Sequence, residues 1–302
     1  MARQYRPKPK PTPPMIARNG GQLMDFLLAN MHGKNRNNIK TLLNQRKVLV
    51  NGMVVGFYNY QLQPGDEVII QNFKADADMR LSGLTIVYED NHIIVIDKLS
   101  GMSCSSKNGS SATVCSVLNR YVKKDQPLNS VFPINSLDRG TSGLMVLAKS
   151  KDVKEKLQQM YCNGDVRYTY LAVVEGTIDN DISVIESYIY EDKKNHKMVS
   201  VQESGEGEHV ITNIETLKSN TDFSMLKVEP ITNVKNQIRI HLKSVGHPIV
   251  GDLKYNSHQN PIERLGLHAW ILTFKHPMTR KNLRFESHTP KRFLHLFDNT
   301  NL

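Results

Sequence analysis

The sequence predicts an α+β protein, in which a small α/β module precedes a mixed, largely antiparallel sheet with flanking helices. Beyond residue 84, short runs rich in β-branched and aromatic residues outnumber helical patterns and do not alternate regularly with them. Before residue 71, two helical patterns lead into a turn of Asn51 and Gly52 between apolar runs, which is a strong signal for a hairpin. The length of 302 residues agrees with about two domains.

The net charge of +10 at pH 7 indicates a polyanionic partner. Nucleic acid is the first candidate for this partner, and a membrane surface is the second. No apolar run approaches the roughly 18 residues of a membrane span, and the first residues lack the apolar core of a secretory signal. Cys104, Cys115 and Cys162 lack the spacing of zinc ligands, so we expect reduced thiols in the cytoplasm and no bound metal.

Residues 1–14 are predicted to form a flexible basic tail. They hold five prolines and four basic residues, and such a stretch buries too little apolar surface to offset its ordering entropy. The tail is either a solvated leader or a weak electrostatic arm on RNA.

Residues 15–71 read as one compact module. An apolar stripe predicts a first helix from residue 23. Asn37 or Asn38 is the expected cap of a second helix, whose inward positions are Ile39, Leu42 and Leu43. The hairpin at Asn51 follows, and a turn at Pro64 and Gly65 leads into a closing strand.

The second helix and the loop after it are basic and contain no acid. Taken alone, this pattern fits a solvated helix face as well as an RNA contact. The module, however, resembles the small RNA-binding domain first seen in a ribosomal small-subunit protein. This resemblance implies that the second helix and its loop lie on RNA phosphates. The residues concerned are Lys34, Arg36, Lys40, Arg46 and Lys47.

Three separated stretches place polar groups beside apolar runs. Asp138 precedes a run typical of a fully buried strand, Tyr168 and Tyr170 fall on one side of a strand, and Arg239 lies on a helix opposite an apolar face. Each observation alone has an ordinary structural explanation. An aspartate in a turn commonly bonds its own backbone, a strand tyrosine commonly packs in a core, and a helical arginine is commonly a surface charge.

Together and in this order the stretches resemble the catalytic domain of the RluA-type RNA pseudouridine synthases, over about residues 84 to 290. The motifs are "LDRGTSGL", "YLAVVEG" and "QIRIHL" followed by "GHPIVGD", with "YEDNHIIVIDK" and "LHAWILTFKHP" at the flanks. The resemblance implies the pseudouridine synthase fold and the isomerisation of uridine within RNA, without a cofactor. It makes Asp138 the nucleophile, Tyr170 the residue that stacks on uracil and assists proton movement, and Arg239 the partner of the aspartate. It also places Arg139 on the RNA.

Elementary chemistry agrees with these roles. The base must leave and return through a different carbon, so it has to be flipped into a pocket that prevents its escape. A carboxylate must be ionised to attack, and an adjacent guanidinium favours that form because it does not give up its own charge. An aromatic face can hold the detached ring.

The chain departs from the family pattern at several positions beside these residues. Asn135 and Ser136 stand where the family usually has His-Arg, whose arginine helps to push the flipped nucleotide from its stack. Tyr168 replaces a common lysine, and "TNVKNQIR" lacks the usual Gly-Arg-Thr-His. We therefore expect an altered substrate or slower base extrusion rather than complete loss of activity.

The sequence thus predicts a basic tail (1–14), an RNA-binding domain (15–71), a linker (72–83) and a catalytic domain (84–302). The expected function is that of an RNA pseudouridine synthase, with large-subunit ribosomal RNA as the expected substrate. We expect a cytoplasmic monomer that does not enter a membrane. The alternative is a non-catalytic RNA-binding or ribosome-assembly protein on a synthase scaffold, which the missing His-Arg pair favours and the intact Asp138, Tyr170 and Arg239 oppose.

Overall fold

The structure of the protein is a computed structural model with two compact units. One unit comprises Met1–Arg80 with Thr279–Phe285, and the other comprises Leu81–Met278 with Glu286–Leu302. The residues described are 13–31, 33–44, 47–51, 53–55, 58, 60–70, 79–81, 83–105, 112–123, 130–178, 182–192, 197–201 and 207–298. Most of the predicted tail, most of the predicted linker and Arg46 lie outside these ranges.

The first unit has the predicted succession of helix, helix, hairpin and strand. Strands β1, β6, β3 and β4 form an antiparallel sheet in that order, and β2 pairs with β5. Asn51 adopts the left-handed conformation, at φ 51°, that the hairpin turn requires. The elements are β1 (Met15–Ile16), β2 (Gly21–Gln22), α1 (Leu23–Asn30), α2 (Arg36–Asn44), β3 (Val48–Val50), β4 (Met53–Val54), β5 (Gln61–Leu62), β6 (Glu67–Ile70) and the following β7 (Met79–Leu81).

Helix α2 begins earlier than its predicted cap, so that prediction was wrong by two to three residues. The side chain of Asn35 accepts from the backbone N–H of Asn38 at 2.9 Å, and Asn38 accepts in return from the backbone of Asn35 at 3.1 Å. This reciprocal pair satisfies amide groups at the start of the helix. Three asparagines within four positions offer several equivalent caps, so the pattern alone did not choose between them. The inward positions were predicted correctly, since Ile39 and Leu43 are buried.

The second unit is built on a large, mostly antiparallel sheet, which confirms the predicted fold class. Its strands are β8 (Leu84–Glu89), β9 (Ile93–Lys98), β10 (Phe132–Pro133), β11 (Ser142–Ala148), β12 (Arg167–Glu175), β13 (Val184–Asp192), β14 (Lys197–Val201), β15 (Glu208–Ser219), β16 (Phe223–Pro230) and β17 (Leu267–Lys275). The next strand, β18 (Asn282–Glu286), begins in the segment assigned to the first unit. Its helices are α3 (Val114–Val122), α4 (Lys151–Cys162), α5 (Gln237–Ser244) and α6 (Lys291–Leu294), with a 3₁₀ turn at Leu253–Tyr255.

The order of the strands brings distant motifs side by side. The central path runs β14-β13-β15-β16-β12-β17-β11-β9-β8, and its pairs are antiparallel except for the parallel pair of β11 and β17. Every residue of β11 is buried, as its apolar sequence predicts. Helix α5 packs Ile238 and Leu242 against Ala172 of β12 and Leu226 of β16. The turn before β11, strand β12 and helix α5 thereby hold the three predicted catalytic residues on neighbouring elements.

Gly143 is required where β11 meets β17. Its φ is +109°, and a Cβ atom at this position would lie 2.2 Å from the carbonyl oxygen of Ala269. Gly143, the second glycine of "LDRGTSGL", therefore permits the backbones of β11 and β17 to approach more closely than any side chain would allow.

We predict that Gly143→Ala destabilises the protein by roughly 3 kcal/mol or more, because backbone strain and a backbone clash add. Gly101→Ala is the matched control, since Gly101 also has a positive φ of +92° but open space where a Cβ atom would lie. The control should lose about 1 to 2 kcal/mol. Urea unfolding of both variants measures the difference, and equal losses would contradict the close approach of β11 and β17.

Candidate active site

Asp138 lies in the turn before β11 with its side chain accessible. Its backbone carbonyl accepts from the N–H of Thr141 at 3.0 Å, which closes the turn. The preceding Leu137 is buried, whereas 42% of the Asp138 side chain is exposed. Leu137 therefore fixes the turn to the core, and the carboxylate of Asp138 is accessible to a ligand.

A buried lysine supports this turn from below the surface. Lys98, at the end of β9, is fully buried, and its Nζ donates to the carbonyl oxygens of Met102 at 2.9 Å and Leu99 at 3.2 Å. The carbonyl oxygens of Asp138 and Arg139 lie at 3.4 and 3.5 Å from the same nitrogen. Burial lowers the pKa of Lys98 to about 8. Lys98 was not among the predicted site residues, although a lysine closing a buried strand is an unusual feature.

Arg239 joins Asp138 to a second aspartate. Its Nε and Nη2 donate to the two carboxylate oxygens of Asp252, both at 2.6 Å, and its Nη1 donates to Oδ2 of Asp138 at 2.6 Å. Burial opposes the charge of Arg239, but the two carboxylates outweigh burial and raise its pKa above the ordinary value. Only 1% of the Asp252 side chain is exposed, so this aspartate orients the guanidinium while Asp138 remains accessible.

Two further side chains complete the surroundings of the guanidinium. The ring of Tyr255 faces it, with Arg239 Cζ 4.9 Å from the ring centroid. Asn236 accepts from Arg239 Nη1 at 3.3 Å and donates to the hydroxyl of Tyr255 at 3.1 Å. Neither these residues nor Asp252 were predicted as site residues, although the motif "GHPIVGD" that ends in Asp252 contributed to the resemblance.

Helix α5, which carries Arg239, is held on the sheet by a buried polar network. His241 contacts the hydroxyls of Ser187 at 3.0 Å and Thr212 at 2.8 Å. Gln237 donates to the same threonine hydroxyl and to the carbonyl of Ile211, each at 2.9 Å. These bonds fix the rotation of the helix, and therefore the direction in which Arg239 points.

Tyr170 lies beside a second tyrosine. The rings of Tyr168 and Tyr170 stack with their centroids 5.9 Å apart and their planes at 30°. Burial raises the pKa of Tyr170 well above its ordinary value, and the neighbouring Tyr161, Tyr168 and Asp138 raise it further. The phenol therefore stays protonated and is able to donate a hydrogen bond.

An open cleft of about 400 Å³ surrounds the aspartate and the arginine. Its lining consists of Asp138, Arg139, Gly140, Lys235, Asn236, Arg239, Gly251, Asp252, Leu253, Lys254 and Leu265. Of the predicted site residues of this unit, Asp138, Arg139 and Arg239 share the cleft, and Tyr170 is not among the described residues that line it. Arg139 also donates from Nε to the carbonyl of Gly101 at 2.9 Å.

Four of the predicted RNA-binding residues of the first unit lie within the described ranges, on the second helix or close to its ends. Lys34, Arg36 and Lys40 are exposed, and Lys47 is half-buried. Arg36 forms a long surface ion pair with Asp25 at 3.6 Å. Such a pair contributes little to stability and leaves the arginine available to a phosphate.

The described part of the chain shows neither a metal site nor a membrane helix. Within it, no group of three or more histidine, cysteine, aspartate or glutamate side chains could hold a metal ion. None of the helices in the described ranges is long and apolar enough to cross a membrane.

Comparison with known proteins identifies the class. The RNA pseudouridylate synthase model matches residues 92–244, about half of the chain, and the S4 domain model matches residues 23–68. The chain therefore combines a small RNA-binding module with the domain of an RNA-modifying isomerase. It belongs to the RNA pseudouridylate synthase family.

Individual relatives cover nearly the whole chain. An uncharacterized RNA pseudouridine synthase of Bacillus subtilis, YlyB, is 30% identical over 91% of this chain and 92% of its own length. The ribosomal large subunit pseudouridine synthase C of Haemophilus influenzae is 29% identical over 89% of this chain and 88% of its own. These relatives favour the catalytic interpretation over the assembly protein.

A solved structure agrees on the fold. The human RNA pseudouridylate synthase domain containing 4 covers 70% of this chain and 90% of its own, with a TM-score of 0.58 and 24% identity. At this level of identity the similarity concerns the fold alone.

The network around His241 leads to a pH prediction. Burial lowers the pKa of His241 to about 4, from an ordinary value of 6.5. The neutral ring thus contributes stability that is fully present above about pH 6.5 and is lost as the pH falls through about 4. We predict that the free energy of unfolding decreases on acidification by up to about 1.4 kcal/mol per pH unit from this histidine.

Urea unfolding between about pH 7 and about pH 5 measures the slope, and His241→Gln removes the titrating group. The variant should show a shallower slope than the wild type, whatever its stability at neutral pH. His268→Gln tests a second buried histidine by the same slope, because burial also lowers the pKa of His268, to about 3. An unchanged slope in His241→Gln would show that its ring is not held neutral.

Proposed function

We propose that this protein converts a uridine of large-subunit ribosomal RNA to pseudouridine, with Asp138 as the nucleophile. The observation that carries the proposal is the accessible carboxylate of Asp138, bonded on one oxygen to an arginine that a buried aspartate holds in place. The relative from Haemophilus influenzae is named for large-subunit RNA, which supports this class of substrate.

The charge arrangement suits a nucleophile that must be ionised. Arg239 remains positively charged, and its Nη1 donates to Oδ2 of Asp138, so it pairs with this carboxylate and orients it. Because Asp252 occupies Nε and Nη2, only the remaining part of the guanidinium faces Asp138. The aspartate is therefore oriented before the RNA arrives, and reorganisation during the reaction is small.

The reaction exchanges one bond of the base for another. The bond between the sugar carbon and the ring nitrogen breaks, a bond from the same sugar carbon to a ring carbon forms, and the proton on that ring carbon moves to the released nitrogen. Asp138 forms a temporary covalent bond during this exchange and is regenerated. The ring of Tyr170 stacks on the detached uracil, and its protonated hydroxyl donates a hydrogen bond rather than serving as a base.

The rim of the cleft favours a polyanion. Asp138 and Asp252 are both bonded to Arg239, while Arg139, Lys235 and Lys254 add three positive charges to the lining. These cations fit the phosphates on either side of a flipped nucleotide. Because Arg139 adjoins Asp138 in sequence, it can fix the RNA register directly at the nucleophile.

The two units divide the work in this proposal. Residues 15–71 hold the RNA through the predicted basic helix, residues 84–302 carry out the chemistry, and residues 72–83 connect them. We place the protein in the cytoplasm as a monomer, where ribosomal RNA and a reducing environment agree with the free Cys104, Cys115 and Cys162. Analytical ultracentrifugation tests the oligomeric state.

We predict that Asp138→Asn abolishes pseudouridine formation, because the amide is nearly the same size but cannot act as a nucleophile. Ribosomal RNA from a strain lacking the gene is incubated with each protein, and pseudouridines are then mapped chemically. Wild-type protein should add pseudouridine at a defined large-subunit position. RNA affinity and the unfolding free energy of the variant should remain close to the wild type.

Asp152→Asn, an exposed change on α4, is the matched control and should retain full activity. Turnover by Asp138→Asn would exclude Asp138 as the nucleophile. If the wild type modifies transfer RNA alone, the proposed substrate is wrong but the proposed chemistry stands.

The first unit should govern affinity rather than rate. Changing Lys34, Lys40 and Lys47 together to Gln should flatten the slope of log affinity against log salt by roughly two to three units, because each lost phosphate contact accounts for about 0.7 to 0.9. The single-turnover rate at saturating RNA should stay within about threefold, because the cleft around Asp138 is unchanged.

The control removes the same charge elsewhere, through Lys151, Lys154 and Lys156 on α4. An equal change of slope in both triple variants would mean that overall charge matters rather than the S4 domain. A collapsed rate at saturation in the first variant would instead show that the first unit takes part in forming the active site.

A further inference from the structure

Two departures from the family pattern contact each other beside the proposed active site. The hydroxyl of Tyr168 donates to Oδ1 of Asn135 at 3.0 Å. Asn135 lies in the segment that leads into Asp138, whereas Tyr168 lies on β12, two residues before Tyr170. A single hydrogen bond therefore joins strand β12, which carries Tyr170, to the segment that leads into the Asp138 turn.

We propose that Tyr168 is a positioning residue that fixes the Tyr170 ring and the Asp138 turn relative to each other. Its ring stacks on that of Tyr170, and its hydroxyl holds Asn135. This inference rests on the proposed function, because it assumes that Asp138 and Tyr170 act on the same uridine.

The surroundings of Tyr168 give this link a defined geometry. The side chain is 6% exposed, and the ring of Tyr161 packs against it edge-on at 6.5 Å. Burial raises the pKa of Tyr168 above its ordinary value, so its hydroxyl keeps the proton that it donates to Asn135. Tyr168 is thus held by three contacts: the ring of Tyr161, the stacked ring of Tyr170, and Asn135 at its hydroxyl.

The strand itself supports the arrangement. The pairing of β12 with β17 shifts register here, because Thr169 pairs with Ile271 and Tyr170 with Ala269, so the extra residue of the bulge lies on β17. A bulge changes the direction of the side chains around it and is found next to active sites. Because the extra residue lies on β17, side chains still alternate along β12, so Tyr168 and Tyr170 lie on one face and their rings stack.

The link also explains why the two departures occur together. Asn135 presents an amide oxygen that accepts the tyrosine hydroxyl, and both partners are uncharged. Asn135 and Tyr168 therefore align Tyr170 with the Asp138 turn and do not bind phosphate. Disruption of the link should lower the rate of the bound complex and leave RNA affinity unchanged, which separates it from the cationic rim.

A double-mutant cycle tests the link with Tyr168→Phe, Asn135→Ala and the combined variant. The probe is ribosomal RNA from a strain lacking the gene, and the single-turnover rate is measured at saturating RNA. Each single variant should be about tenfold slower than the wild type, and the double variant about tenfold slower rather than a hundredfold. The RNA concentration at half-saturation and the salt slope should not change.

Tyr121→Phe is the matched control, because Tyr121 also donates from its hydroxyl to a side chain, Glu89, at 2.8 Å. It should react at the wild-type rate. Asn135→Ala acts on the more exposed end of the bond, so it remains informative if Tyr168→Phe lowers the melting temperature too far.

The outcomes separate the two proposals. Wild-type activity with single variants within twofold of it would overturn the positioning role and leave the proposed function intact. A hundredfold loss in the double variant would also overturn it, because the two residues would then act independently. An inactive wild-type protein would overturn the proposed function, and the positioning role with it.

Discussion

The guanidinium of Arg239 binds two carboxylates from different parts of the chain, and the geometry of the site depends on this contact. Asp252 takes two of its nitrogens, and Asp138 takes the third. A buried charge is costly unless it is paired and hydrogen-bonded, and here one arginine serves a buried aspartate and an accessible one. Asp138 stays accessible because the buried Asp252 holds the guanidinium in place through two of its nitrogens.

Several features of the fold are needed to keep this contact in place. The polar network of Gln237 and His241 fixes the rotation of α5, which determines where Arg239 points. Gly143 allows β11 to approach β17 and so fixes the start of the strand that follows the Asp138 turn. Lys98 bonds the backbone of the neighbouring loop and lies near the carbonyls of Asp138 and Arg139.

Different residues of the proposed site orient the reacting groups and attract the RNA. The linked side chains of Asn135, Tyr168 and Tyr170 are uncharged, so in the proposed role they orient groups without attracting RNA phosphates. The rim of Arg139, Lys235 and Lys254 is cationic, and the S4 domain adds further basic residues. Long-range attraction can therefore be weakened by salt while the arrangement around the carboxylate is preserved.

The sequence by itself determined the fold class, the two modules and the three residues proposed for catalysis. Local signals sufficed for the fold class and the modules, because periodicity and turn residues are properties of neighbouring positions. The three residues proposed for catalysis came instead from several motifs that together resemble a known family. Asn51 at its hairpin, the buried β11 and the inward face of α2 were all predictable from local signals. The exact cap of α2 was not, because several adjacent asparagines could serve.

Only the tertiary structure decided which polar groups meet. Asp252 lies 13 positions from Arg239 in sequence, and Asn135 lies 33 positions from Tyr168, yet each pair is hydrogen-bonded. The residues adjacent to each side chain in sequence do not indicate which distant group it bonds. Their roles depend on strand order and helix rotation, which the packing of the whole sheet sets through contacts between residues far apart in the chain.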